Sequence, residues 1–193
     1  MLRVVLATAN PAKAAEITVL LGGALDLVPR PLWLPDTPED GSTVEENACA
    51  KAAAVVAATG LPAVADDTVL EVDALGGAPG LRSGRYAGER AGEAANTAKL
   101  LRELAGVAEQ LRGARVRTVA VLGYPDGTRL VGTGVARGTV TREPRGTTGF
   151  GYDAVFVPDE GDGRTLAEMS TEEKAHYYCR GWAFRDLLAR LND

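Results

Sequence analysis

The sequence predicts an α/β fold in which helices flank a mixed central sheet. Three observations lead there. An apolar, β-rich run at 3–8 (Arg-Val-Val-Leu-Ala-Thr) passes at once into a helical stretch, the order expected of a strand buried on both faces and the helix that covers it. Helical and extended segments then alternate, which favours parallel pairing. Later, Arg115 to Tyr124 and Arg129 to Thr141 are β-rich runs on either side of Pro125-Asp126-Gly127, a hairpin signature, so the sheet is mixed rather than purely parallel. With 193 residues, 46% of them hydrophobic, the chain can bury one core, and residues 1–193 are expected to form a single domain.

Each element has a local cause. Asn10 reads as an N-cap, Pro11 as the first helical residue, and the helix runs to Leu21 before Gly22-Gly23 stops it. Pro29 to Gly41 carries four prolines and is an irregular connection. Ser42-Thr43-Val44-Glu45 opens a second, alanine-rich helix that ends at Gly60. Ala63 to Asp67 is a strand that continues with extended character through Val69 to Leu75, until Gly76-Gly77-Ala78-Pro79-Gly80 breaks it. Gly88 to Leu104 predicts a surface helix with Leu100, Leu101 and Leu104 inward. After the hairpin come a strand around Asp153 to Val157, a Gly/Asp loop at 159–163, and one helix capped by Ser170 with Glu173 that ends near Leu191.

Composition narrows the function. Lys+Arg 21 against Asp+Glu 26 gives a net charge of −5 with no long run of either sign, which argues against a nucleic-acid or membrane-surface partner. No stretch approaches the roughly 18 apolar residues of a membrane span, and Met1-Leu2-Arg3 enters a strand rather than a signal sequence, so a cytoplasmic protein is expected. Cys49 and Cys179 form no close motif, which excludes a cysteine-only zinc site. His176 is the single histidine. Chemistry must rest on carboxylates, cations and backbone.

Five places could carry it. Lys13 lies in the first turn of a helix, where the dipole disfavours a cation; an anion at the free N–H groups of that turn, beside Thr8 and Asn10, would resolve the conflict. Alternatively, Asn10 merely caps and Lys13 points into water. Asp66-Asp67 ends an apolar strand, where open α/β sheets hold ligands. Adjacent strand residues face opposite ways, so a shared ion needs a second carboxylate from elsewhere: Glu39, Glu45 or Glu46. Oxygen ligands without histidine or thiolate favour Mg²⁺ or Mn²⁺; the alternative is that both acids cap a turn or pair with Lys and Arg. Lys51, in an apolar helix, either reaches a phosphate or snorkels.

The fourth place is Phe150-Gly151-Tyr152-Asp153. In extended geometry Phe150 and Tyr152 share a face and Asp153 takes the other, which suits either core packing or a stacked base whose edge an acid reads. Lys174 and Arg180 lie six residues apart, about 120° around one ideal helix, so they meet one ligand only across a helix end or a break. On a continuous helix His176 and Arg180 would share a face; His176 is assigned no role.

Taken in order, Thr8-Ala9-Asn10-Pro11-Ala12-Lys13, Glu46-Asn47-Ala48 with Lys51, Ala65-Asp66-Asp67-Thr68, Leu75-Gly76-Gly77-Ala78-Pro79-Gly80 with Ser83-Gly84-Arg85-Tyr86-Ala87-Gly88, Gly149-Phe150-Gly151-Tyr152-Asp153, and Ala167-Glu168-Met169 with Glu173-Lys174 resemble the non-canonical purine nucleoside triphosphate pyrophosphatases, the inosine/xanthosine triphosphate house-cleaning enzymes. The resemblance covers nearly the whole chain. It implies an elongated mixed sheet in two lobes with a nucleotide cleft between them, a homodimer, and Mg²⁺-dependent hydrolysis of ITP, dITP and XTP to monophosphate and pyrophosphate.

By position, the resemblance assigns the triphosphate to Thr8 through Lys13 (Thr8, Ala9, Asn10, Pro11, Ala12, Lys13) with Lys51 beside them. It makes Asp67 metal ligand and proton acceptor, Glu39 the second metal ligand, and Thr68, Phe150, Gly151, Tyr152, Asp153, Lys174, Cys179 and Arg180 nucleotide contacts. The chain departs from the pattern where the family's Ser-His-Arg reads Tyr178-Cys179-Arg180 and where Asp-Asp-Ser-Gly reads Asp66-Asp67-Thr68-Val69. Two other functions compete: a nucleotide-binding module without catalysis, and a pyrophosphatase with a shifted base preference.

Overall fold

The structure is a computed structural model that describes residues 1–192. The expected mixed sheet is present, with six strands in the order β2-β1-β3-β4-β5-β6: β1 is Arg3–Leu6, β2 Asp26–Val28, β3 Ala63–Val72, β4 Gly113–Gly123, β5 Arg129–Val140 and β6 Phe156–Pro158. Strand β1 pairs in parallel with β2 and with β3, whereas β5 and β6 are antiparallel, with Thr139 opposite Val157. The chain forms two compact units, and β3, β4 and β5 each contribute residues to both.

The first unit comprises Met1–Asp67, Thr118–Gly134 and the described residues from Arg180 onward. Alternation along β1 explains its core. Val4 and Leu6 face one way, into a cluster with Ile17, Leu21, Val64, Phe184 and Leu187, while Val5 faces the other, with Val55 and Ala63. Val4 to Leu6 are therefore buried on both faces, whereas Arg3 is exposed and Ala7 and Thr8, beyond the strand's end at Leu6, are half-buried. Helix α1 (Pro11–Leu21) covers one face and α2 (Val44–Thr59) supplies Val55 to the other. Thr43 caps α2 by accepting from Glu46 N–H, and Gly60 ends it in the left-handed region at φ 68°. Helix α5 (Cys179–Leu191) buries Phe184 and Leu187, worth roughly 2 kcal/mol each. A Cβ at Gly132 would collide with Ala183 O and the Leu187 backbone, so α5 lies against bare strand backbone there.

The second unit comprises Thr68–Arg117 and Val135–Cys179. Four sequence expectations change here. The extended chain expected through Leu75 ends at Val72, because Asp73–Leu75 is a 3-10 turn. The helix expected from Gly88 is α3, Glu93–Glu103; the preceding residues are held as a turn because the Asn96 side chain accepts from Ala87 N–H and donates to Gly84 O. Leu100 and Leu104 are inward as expected. The strand expected from Asp153 begins at Phe156, because Asp153–Val155 is a 3-10 turn.

The single helix expected from Ser170 is two, α4 (Thr171–Tyr177) and α5, broken at Tyr178, whose backbone is extended at φ −127°, ψ 146°. Tyr178 is buried with its ring 6.5 Å from that of Phe156, so aromatic packing outweighs one turn of helix. His176 and Arg180 consequently share no helix face. Arg112, 1% exposed, joins the elements around it: its guanidinium donates to Leu104 O, Val140 O and Thr141 O, each at 2.7 Å. No described helix is long and apolar enough to cross a membrane.

Candidate active site

The site in the first unit starts from the end of β1. Asn10 has extended backbone and its Oδ1 accepts from Ala12 N–H at 2.9 Å and Lys13 N–H at 3.2 Å, while Asn10 N–H donates to the Thr8 hydroxyl at 3.1 Å. The first-turn N–H groups expected to be free are thus already taken up by the cap, and Ala14 N–H bonds Asn10 O. Ala9, Pro11 and Ala12 are exposed on the turn. What this terminus offers an anion is the Lys13 ammonium. Lys13 does not point into water: its side chain is 15% exposed and its Nζ lies 3.2 Å from Asp66 Oδ1. Burial pulls the Lys13 ammonium below its ordinary pKa; Asp66 opposes that, and Arg180 and Lys51 reinforce it.

Pleating separates the two strand acids. Asp66 meets Lys13 and Arg180, whose Nε donates to Asp66 Oδ2 at 3.1 Å and whose Nη1 donates to Glu16 Oε2 at 2.6 Å. Burial would raise the Asp66 carboxyl, but the charges of Lys13, Arg180 and Lys51 hold it down at about 2. Asp67 turns to α2 instead. Its Oδ1 accepts from Lys51 Nζ at 2.7 Å and its Oδ2 from Asn47 Nδ2 at 3.4 Å. For Asp67 burial prevails, so its pKa is raised despite Lys51.

Lys51 is no snorkelling surface lysine. Its ammonium also pairs with Glu39, so one nitrogen binds carboxylates from the proline-rich connection and from β3. Burial acts to lower its pKa, and the Asp67 and Glu39 charges overcome that and raise it. Of the three acids considered as partner for Asp67, the structure brings Glu39 to it; Glu46 instead accepts from Ser42 N–H and its hydroxyl, both at 2.7 Å, and Glu45 is exposed.

A cation fits here on the structure's own terms, because an ammonium already sits between Glu39 and Asp67. No group of three or more His, Cys, Asp or Glu side chains is arranged for a metal among the described residues. A divalent ion held by these two carboxylates would need oxygens from elsewhere, which is the habit of Mg²⁺ with phosphates.

Two residues of this cluster carry no role on sequence alone. Asn47, 1% exposed, donates to Asp67 and its Oδ1 accepts from Gly41 N–H at 2.9 Å, tying the segment that bears Glu39 to the strand that bears Asp67. Its i, i+4 spacing from Lys51 was the available signal. Glu16, one turn beyond Lys13, signalled nothing until Arg180 came against it.

The second unit holds the other candidates. Phe150 to Asp153 is a turn rather than extended chain, because Asp153 N–H donates to Phe150 O at 3.2 Å and Gly151 has φ 63°. Phe150 and Tyr152 are half-buried. Asp153 Oδ2 accepts from Lys174 Nζ at 2.8 Å and from Phe150 N–H at 3.2 Å. Gly149, at φ 81°, packs on that buried pair, and a Cβ there would strike both Asp153 Oδ2 and Lys174 Nζ. Thr68 is half-buried on β3 and Cys179 is fully buried at the start of α5.

Residues 4–190 match the Ham1 family. The dITP/XTP pyrophosphatases of Streptomyces avermitilis and Streptomyces coelicolor are 48% and 46% identical, each alignment covering 97% of this chain and 96% of the relative. A solved HAM1 protein from Coxiella burnetii superposes with a TM-score of 0.86 at 39% identity, over 100% of this chain and 99% of that one. The chain belongs to the Ham1 family.

Proposed function

We propose that this protein hydrolyses inosine- and xanthosine-type purine nucleoside triphosphates (ITP, dITP, XTP) to the monophosphate and pyrophosphate, as a single Mg²⁺-dependent catalytic domain over residues 1–193. The observation that carries the reading is the convergence of Glu39, Asp67 and Lys51, with Lys13 on the same unit. Full-length relatives called dITP/XTP pyrophosphatases support the substrate class.

The chemistry follows from the side chains. Attack of water at the α-phosphorus builds charge on phosphoryl oxygens and on departing pyrophosphate, so fixed cations serve better than a covalent nucleophile. Lys13 and Lys51, with the Thr8 hydroxyl, are assigned to the triphosphate along the turn formed by Ala9, Asn10, Pro11 and Ala12. Asn10 keeps that turn in register by capping α1. Asp67 takes the proton of the attacking water. Glu39 and Asp67 would hold Mg²⁺, which supplies charge neutralisation on the phosphates when bound. Thr68, Phe150, Gly151, Tyr152, Asp153, Lys174, Cys179 and Arg180 are assigned to the nucleotide on the family resemblance. Donors facing O6 would favour 6-oxo purines over adenine, whose amino group leaves them unpaired. A homodimer in the cytoplasm, needing neither nucleic acid nor membrane, completes the reading.

The test is a panel of ITP, XTP, dITP, GTP and ATP with Mg²⁺ and product identification. Pyrophosphate and monophosphate from the first three, with GTP and ATP spared, is the expected result; orthophosphate release refutes attack at the α-phosphorus, and binding without turnover would select the non-catalytic module.

A further inference from the structure

We infer that Glu93 and Thr97, one turn apart on α3, are positioning residues that clamp Gly151 and thereby set the Phe150–Asp153 turn for the nucleobase. The base-contact part of this inference rests on the function proposed above; the clamp itself stands on geometry. Gly151 N–H donates to Glu93 Oε2 at 2.9 Å, and Gly151 O accepts from Thr97 Oγ1 at 3.2 Å. Spacing of i, i+4 puts both side chains on one helix face.

The two bonds fall on different peptide planes. The N–H belongs to the 150–151 peptide and the carbonyl to the 151–152 peptide, so together they fix the rotations on both sides of the residue with the most conformational freedom. Phe150 lies on one side of that hinge and Tyr152 on the other. The remaining ends of the turn are anchored separately: Tyr152 OH donates to Ser83 O at 3.0 Å, and Asp153 pairs with Lys174 at 2.8 Å. Gly151 is the link in the turn that both bonds tie to α3.

Helix stability does not account for Thr97. A β-branched residue is a poor choice inside a short helix, and its hydroxyl ordinarily turns back to its own helix's carbonyls. Here Thr97 is 7% exposed and its hydroxyl reaches across to the loop. Glu93, exposed in the first turn of α3, would suit the dipole wherever its carboxylate pointed, yet it points at a loop amide 58 residues away in sequence.

The test compares Thr97→Val, Thr97→Ser, Glu93→Ala and Glu93→Gln by ITP kinetics and by amide hydrogen exchange of the 147–155 segment. Losing one such bond should raise KM for ITP roughly 3- to 10-fold with kcat within about twofold, because the contact is made equally in ground and transition states. Thr97→Ser, which keeps the donor, and Glu93→Gln, which keeps an acceptor, should restore KM. Exchange in 147–155 should quicken in Thr97→Val and Glu93→Ala and stay unchanged in β1. Unchanged loop exchange in both variants overturns the clamp whatever the substrate. Quickened exchange with unchanged KM overturns its role in base positioning, and a fall only in melting temperature and active fraction does the same. If Thr97→Val fails to fold, Glu93→Ala at the exposed start of the helix decides alone. Absence of ITP, XTP and dITP hydrolysis in the unmodified protein would instead refute the proposed function, while exchange still judges the clamp.

Discussion

Arg180 and Glu16 stand 164 residues apart in the chain, yet their side chains meet at 2.6 Å, with only 3% and 10% of each exposed. Arg180 is also bonded to Asp66, so α1, β3 and α5 converge on one guanidinium. Removing one member leaves buried charge without full compensation. Glu16→Ala should therefore destabilise the protein by about 3 kcal/mol in urea unfolding, the low end for a buried pair because Asp66 remains. Glu16→Gln, which keeps an acceptor, should lose less.

Asp67→Asn tests the base. The substitution preserves shape and removes both the proposed proton acceptor and the charge facing Lys51 and Glu39. Turnover of ITP should fall by at least about 100-fold, while the circular dichroism spectrum stays that of the parent. Undiminished kcat would move the base to another residue.

Glu39 is tested through the proposed metal. Chelation with EDTA should abolish hydrolysis, and added Mg²⁺ should restore it. Glu39→Gln removes the charge of one of the two carboxylates that meet at Lys51. Its half-activating Mg²⁺ concentration should rise on the order of 10-fold, with pyrophosphate still the product; an unshifted activation curve would remove Glu39 from the metal.

Arg112 tests the second unit. Its three carbonyl partners come from the residue that caps α3, from the end of β5 and from the residue after it, so one planar fork joins separate pieces of backbone. Arg112→Met should cost about 3 kcal/mol or more, because the three carbonyls lose their charged donors. Arg112→Lys should rescue little, since a compact ammonium cannot reproduce the fork. The rate per folded molecule should remain that of the parent.

Local chemistry made much of the fold legible in advance. Asn10-Pro11, Gly60 and Ser170 with Glu173 act through bonds only a few residues long, so the corresponding helix ends fall where these residues place them, whereas the second helix, expected to open on the capping pattern Ser42-Thr43-Val44-Glu45, is capped one residue later, by Thr43 accepting from Glu46 N–H. The placement of Asp66 and Asp67 on opposite faces follows from the pleat alone. The break at Tyr178 was not legible, because the partner that rewards it, Phe156, is remote in sequence. The same holds for the turn at Phe150–Asp153, which is closed by Lys174.

By itself the sequence determined the α/β class, the capped helices and the ordered motifs that mark the family, since each depends on neighbouring residues or on a pattern read along the chain. Only the tertiary structure decided which charges meet: Glu39 rather than Glu45 or Glu46 beside Asp67, Glu16 against Arg180, and Lys13 on Asp66 instead of in water. Electrostatic pairing depends on distance and burial, and both are set by how strands and helices pack, not by spacing in the chain.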